Sequence, residues 1–152
     1  MTRFPRNITV FIILLISSNF SAFSQSTTTY NIKNYGAKGN GKNLDTKAID
    51  KAIDAASAAG GGMVFFPAGD YLSVTIHLKS NVGLYLDHGA TIIAATTAEG
   101  IQYDLPEKSE NSIYQDYGHS YFHNSLIVGE NLHDISITGP GHILGTGLLR
   151  AV

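Results

Sequence analysis

Histidine is the residue type in this chain that most directly suggests metal chemistry. His119 and His123 are four residues apart, a spacing that places two zinc ligands on one face of a helix. Gly118 and the surrounding Ser and Asn residues favour a loop instead, and no Glu stands between the two histidines as a metalloprotease motif requires. The remaining histidines lie in or beside predicted strands and corners, where we expect surface hydrogen bonding: His77, His88, His133 and His142. We expect no metal site.

A second pattern resembles a phosphate-binding loop. Gly36 is followed five residues later by Gly41-Lys42, which matches most of the pattern G-x-x-x-x-G-K-[ST]. Asn43 occupies the position of the hydroxyl residue that would bind magnesium, and the next helix is expected to begin only after Asp45. We therefore predict a glycine-rich turn and no nucleotide as a partner.

Residues 97–124 form a long polar segment between predicted strands, and its aromatic residues are candidates for ligand contact. Long ordered loops inside compact domains are usually functional. Tyrosine rings offer flat apolar faces to sugar rings and hydroxyl groups to sugar oxygens. The candidate substrate-binding residues are Tyr103, Tyr114, Tyr117 and Tyr121. Packing of the same rings within the loop or core is the alternative interpretation.

The start of the chain is typical of a secretory signal. Arg3 and Arg6 precede an apolar run at residues 8–16, and Ala22 and Ser24 are the small residues that a signal peptidase recognises. A membrane-spanning helix needs about 20 apolar residues, and polar residues 17–19 interrupt the run well before that. We predict a signal peptide over residues 1–24, cleavage after Ser24, a secreted or periplasmic location and no stable membrane anchor.

Net charge and cysteine content exclude further classes of partner and site. The 152 residues carry a net charge of −2, which becomes −4 without Arg3 and Arg6. Nucleic acid is therefore not an expected partner, because phosphate binding needs a clustered basic surface. The chain has no cysteine, so it has neither disulfides nor thiolate metal sites.

A helix is predicted after Asp45, which is a plausible N-cap residue. Apolar residues recur at helical spacing and are mostly small: Ala48, Ile49, Ala52, Ile53, Ala56 and Ala59. The run Gly60-Gly61-Gly62 is expected to end the helix. Since the apolar stripe is built from small side chains, the helix should lie close against another surface.

Beyond Gly62 the hydrophobic period changes to two. Strands are predicted at residues 63–66, 74–78, 82–86 and 90–95, after a first strand at residues 30–35. One pattern of apolar residues recurs 51 positions later in the sequence. It aligns Leu84, Leu86 and Ile92 with Ile135, Ile137 and Ile143. Short strands joined by short corners indicate a β-solenoid, and the offset suggests two coils of roughly 25 residues.

Several of these stretches together resemble a known family. They are residues 34–41, the Asp45-Thr46 pair with the following helix, Gly60-Gly61-Gly62, residues 67–72, residues 78–82, residues 125–132 and residues 135–139. They are similar to the N-terminal part of glycoside hydrolase family 28, the polygalacturonases and rhamnogalacturonases of the pectate-lyase-like superfamily. The resemblance implies an all-β, right-handed parallel β-helix over residues 25–152, capped at its N-terminal end by the helix. It also implies a pectic or related uronic-acid polysaccharide as ligand and hydrolysis as the reaction.

The catalytic motifs of that family do not occur here. Asn-Thr-Asp, Asp-Asp, Gly-His-Gly and Arg-Ile-Lys are all missing, and no two of the 12 carboxylates are predicted on one face of neighbouring strands. We therefore expect no catalytic residues, no cofactor, a β-helix that is incomplete at its C-terminal end, and a fragment that is inactive alone. The alternative is a non-catalytic carbohydrate-binding or structural β-helix module of the tailspike type.

Overall fold

The computed structural model describes residues 28–98, 100–105 and 124–148. The predicted signal peptide lies outside the described residues. So do three of the four candidate tyrosines, Tyr114, Tyr117 and Tyr121. In the part that is described, no helix is long and apolar enough to cross a membrane.

The described residues form ten short strands that are arranged in three parallel sheets. The strands are β1 (Thr29–Asn31), β2 (Asn40–Leu44), β3 (Gly62–Phe66), β4 (Gly69–Ser73), β5 (Ile76–His77), β6 (Val82–Leu86), β7 (Ala90–Ala94), β8 (Ile127–Val128), β9 (Ser136–Thr138) and β10 (His142–Leu144). The first sheet has the order β1-β3-β6-β9, the second β2-β4-β7-β10, and the third pairs β5 with β8. The chain visits the sheets in turn, so each circuit is one coil. This is the expected parallel β-helix.

The core lies inside the coils and follows from the two-residue period of the strands. Gly62 pairs with Val82, and Gly69 pairs with Ala90, so coils two and three are 20 to 21 residues apart and their inward positions align. Val64, Leu84 and Ile92 are completely buried. The alternation of side chains along each strand therefore stacks one apolar residue on the next.

Helix α1 (Thr46–Ala58) packs against the first two coils and against a 3-10 turn at Ile32–Tyr35. Ile49 and Ile53 have no exposed surface, which confirms the apolar stripe except at Ala59, which is exposed and follows the end of the helix. Asp45 does precede the helix, but its carboxylate makes no capping bond to it. Both carboxylate oxygens instead accept backbone N–H groups of the preceding loop, so the predicted capping role is wrong.

Three strand predictions need correction. Residues 40–42, expected as the end of the glycine-rich turn at residues 36–42, instead begin β2, in which Asn40 and Leu44 pair with β4 across an irregular register. The strand predicted at residues 74–78 contains only the two-residue β5, and β4, which occupies residues 69–73 just before it, was not predicted. The first strand is shorter than predicted and continues as the 3-10 turn.

The interpretation of the 51-residue offset as two coils is also wrong. Strand β6 pairs directly with β9, and β7 with β10, so the offset corresponds to one coil and not to two. That coil is long because it contains the polar segment after β7. Ile92 does pair with Ile143 as predicted, but Leu84 pairs with Ile137 rather than with Ile135. Counted between paired residues, the corner from β9 to β10 is two residues shorter than the corner from β6 to β7. The paired residues are therefore 53 positions apart before the corner and 51 positions apart after it.

Candidate functional site

His77 lies where three parts of the chain meet. It is the last residue of β5, beside α1 and beside residues 100–105, which follow β7. Its neighbour Ile76 is completely buried. Because successive side chains of a strand point to opposite faces, the imidazole of His77 points outward from the coil.

Both ring nitrogens of His77 face carboxylates. Nε2 lies 2.7 Å from Asp104 Oδ2, and Nδ1 lies 3.4 Å from Asp50 Oδ2. The backbone N–H of His77 also donates to Asp50 Oδ1 at 3.2 Å. The three residues form a carboxylate–imidazole–carboxylate cluster in which the imidazole is half exposed.

Each carboxylate is held by its own segment. Asp50 lies on α1 at the edge of the buried stripe, and its side chain is 29% exposed. The backbone N–H of Asp104 donates to the hydroxyl of buried Thr75 at 3.0 Å. Next to it, the hydroxyl of Tyr103 donates to the carbonyl of Ala95 at 2.7 Å. These two bonds fix residues 103 and 104 against the coil, so Asp104 is presented to His77 by a positioned backbone.

The cluster changes the ionisation of its members. Burial is the largest single influence on the pKa of His77 and lowers it, but hydrogen bonds and charge attraction from Asp104 and Asp50 together raise the pKa above its ordinary value. Burial raises the pKa of Asp50, and its bonds to His77 offset only part of that rise. The protonated imidazole is therefore favoured between the two carboxylates.

A cavity of about 240 Å³ opens beside this cluster, between β5, residue 104 and the end of β8. It is lined by His77, Leu78, Asp104, Val128, Gly129 and Glu130. The wall combines apolar side chains with hydrogen-bonding groups, a mixture suited to a polar organic ligand. Across the described ranges, no group of three or more metal-binding side chains is placed to hold an ion.

The cluster does not resemble a glycosidase acid–base pair. In such a pair one carboxyl group faces the leaving oxygen and the other a water or the sugar. Here Asp50 and Asp104 both contact the same imidazole, which lies between them. The arrangement is suited to holding segments together rather than to cleaving a glycosidic bond.

Tyr103 is the one candidate tyrosine among the described residues. It is only 8% exposed and belongs to the core, and its hydroxyl is already bonded to Ala95. In this conformation it offers no open ring face to a sugar and instead anchors the start of the polar segment. Sequence reasoning missed the His77 cluster because Asp50 and Asp104 are each 27 residues away from His77, with no local pattern linking them.

The phosphate-loop pattern is used differently in the structure. The N–H groups of Lys38 and Gly39, which lie inside the pattern, donate to the two carboxylate oxygens of Asp45. A buried carboxylate therefore occupies the position at which these groups could receive an anion. The chain next enters β2 rather than the helix, so the helix terminus lies outside the glycine-rich pattern.

Comparison with known proteins gives a consistent set of relatives. The family model described as "Rhamnogalacturonase A/epimerase, pectate lyase-like" matches residues 29–130. An exo-poly-alpha-D-galacturonosidase from Dickeya chrysanthemi is 36% identical over 146 residues, which cover 89% of this chain and 23% of that protein. Alginate lyase 7 from Azotobacter vinelandii is 62% identical over 72 residues, covering 47% of this chain and 8% of that protein.

A solved structure supports the same family relationship. The family 28 exopolygalacturonase of Yersinia enterocolitica superposes with a TM-score of 0.59 and 30% identity over 77% of this chain and 20% of that one. The expected right-handed parallel β-helix is thereby confirmed. This chain spans less than a quarter of the length of either curated relative described above. By fold and by sequence, the chain belongs to the rhamnogalacturonase A/epimerase, pectate lyase-like family.

Proposed function

We propose that this chain is the N-terminal part of a secreted pectin-degrading glycoside hydrolase that cleaves galacturonosyl linkages with inversion. The observation that carries the proposal is the 36% identity to a galacturonosidase across 89% of the chain, on the β-helix of the same family. The leader-like residues 1–24 support export. Inverting hydrolysis requires two carboxyl groups and water, so no cofactor is proposed.

The role of the present residues is to begin the solenoid. Helix α1 covers apolar side chains of the first two coils, and the fourth coil adds strands to the first and second sheets. Ile137, Ile143 and Leu144 of that last coil are 41 to 44% exposed. Apolar residues at the end of a stacked array favour a further coil packed on them. Under this proposal, the catalytic carboxylates lie in such further coils.

Tyrosines of the polar segment are the proposed sugar contacts. Tyr114, Tyr117 and Tyr121 provide the aromatic faces that bind uronate rings, and Tyr103 anchors the beginning of the segment. The pectic ligand is a polymer of uronic acids, whose carboxylates and hydroxyls require hydrogen-bond donors beside the aromatic rings.

The match to an alginate lyase favours a second class of substrate. Identity rises to 62% over the 72 residues shared with an alginate lyase, so a mannuronan-type polymer is the competing uronate substrate. Galacturonan is preferred because the galacturonosidase match extends over nearly twice as much of the chain.

The test compares two proteins on two polymers. The full chain and a longer protein, obtained from the reading frame that continues past residue 152, are incubated with polygalacturonate and with polymannuronate. We expect the longer protein to release reducing ends from polygalacturonate. A longer protein that acts on polymannuronate alone would select the second substrate. A reading frame that stops after residue 152 would refute the fragment proposal and favour a non-catalytic module.

A further inference from the structure

His77 joins three segments that are far apart in the sequence. Asp50 belongs to α1, His77 to β5, and Asp104 to the stretch that begins the polar segment. The contact to Asp104 is short, at 2.7 Å, and the contact to Asp50 is longer, at 3.4 Å. No other part of the function described above uses this cluster.

The number of protons on the imidazole decides how many of these contacts are favourable. A neutral imidazole has one N–H donor and one lone pair, whereas an imidazolium has two donors. Both nitrogens of His77 face carboxylate oxygens, which only accept hydrogen bonds when they are ionised. The imidazolium alone can therefore satisfy both contacts. In the neutral form, one nitrogen places a lone pair against a carboxylate, and the charge attraction to both aspartates disappears.

Other charged groups near the cluster do not supply a substitute for the imidazolium. On α1, Asp54 pairs with Lys79 at 2.6 Å and adds negative charge near Asp50. Glu130, two residues after β8, lines the cavity beside His77 and Asp104. The backbone bond from His77 to Asp50 and the bond from Asp104 to Thr75 involve no imidazole atom, so neither replaces the contacts that the imidazolium makes.

We propose that His77 is a pH-dependent latch, whose protonated imidazole fastens residues 103–105 to β5 and α1 and whose deprotonation loosens them. The latch acts on the described stretch that presents Asp104, which borders the cavity. Acid conditions therefore hold this wall of the cavity in place, and neutral to alkaline conditions release it. The inference does not depend on the proposed substrate, because it uses only contacts within the chain.

Nuclear magnetic resonance tests the latch on the full chain. The imidazole signals of His77 give its pKa, and hydrogen exchange of the Asp104 amide, corrected for intrinsic exchange, reports opening of the bond to Thr75. We expect a His77 pKa above about 6.5, the ordinary value. We also expect Asp104 amide protection to fall severalfold as the pH rises through that pKa.

Variants separate the latch from general pH effects. His77→Gln should make protection of the Asp104 amide independent of pH, and Asp104→Asn should lower the pKa of His77. The matched control is His133→Gln, because His133 is exposed and its imidazole contacts the adjacent Asp134 at 3.0 Å. This control should leave the wild-type behaviour unchanged. The proposal is overturned if Asp104 protection in the wild-type chain is constant across the His77 titration, or if the His77 pKa is at or below its ordinary value.

Discussion

Asp45 Oδ1 accepts a hydrogen bond from the backbone N–H of Lys38 at 2.6 Å, across seven residues of sequence. The second oxygen of the same carboxylate accepts the N–H of Gly39 at 2.9 Å. Asp45 is only 2% exposed and directly precedes α1. One carboxylate thus fixes the glycine-rich loop beside the start of the helix that covers the first coils.

Replacing Asp45 should destabilise the fold. Asp45→Ala leaves the N–H groups of Lys38 and Gly39 without their acceptor, so we expect a loss of about 1 to 3 kcal/mol in the free energy of unfolding. Urea denaturation measures the change. Asp54→Ala is the control, because Asp54 forms an exposed ion pair with Lys79 and should change stability by less than about 1 kcal/mol. Equal effects of the two variants would contradict the proposed role of Asp45.

The packing of α1 predicts a larger effect at Ile53. This side chain is completely buried, so Ile53→Ala should cost about 2 to 5 kcal/mol, and Ile53→Asp should cost more because it also buries a charge. Thermal and urea unfolding would show both effects. Lys51→Ala, on the exposed face of the same helix, should be nearly neutral. Unchanged unfolding of Ile53→Asp would show that the helix does not cover the core.

The pKa shifts of the cluster predict how stability depends on pH. Since the pKa of His77 is raised in the folded state, its stabilising contribution is complete below about pH 6.5 and is lost as the pH rises through the folded pKa. The pKa of Asp50 is also raised in the folded state. Its contribution to stability therefore also falls as the pH rises, beginning at about pH 3.9, the ordinary pKa of Asp. Urea unfolding from about pH 5 to about pH 9 should therefore show the largest difference between wild type and His77→Gln at the acid end. A difference that grows toward alkaline pH would contradict this sign.

Much of the fold could be predicted from local patterns. The two-residue period at residues 82–86 corresponds to β6 without any shift, and the stripe containing Ile49 and Ile53 is buried as expected. These signals are reliable because inward positions of a coil, and one face of a covering helix, must be apolar. Residues 40–44 escaped prediction because their composition favours turns, while their pairing with β4 is a long-range contact.

The coil count and the cluster could not be predicted in the same way. An offset in sequence counts every residue between two strands, so the long segment after β7 made one coil look like two. The contacts of His77 depend on the placement of α1 and residue 104 around β5. Neither placement follows from hydrophobic period or spacing.

The full chain alone should be inactive. The catalytic motifs of family 28 are missing from the sequence, and the carboxylates of Asp50 and Asp104 are engaged with His77. We expect no release of reducing ends from polygalacturonate, even at high protein concentration. Reproducible hydrolysis that is abolished by replacing a carboxylate of this chain would contradict the assignment.

The central claim, an N-terminal part of an inverting galacturonan hydrolase, is tested most directly by the stereochemistry of the product. Polygalacturonate is incubated with the longer protein, and the anomeric proton of the new reducing end is followed by nuclear magnetic resonance from the first minutes. The account predicts that the α-linkage gives the β-anomer first, with the α-anomer appearing only through later mutarotation. Initial formation of the α-anomer, or an unsaturated uronate product from elimination, would contradict it.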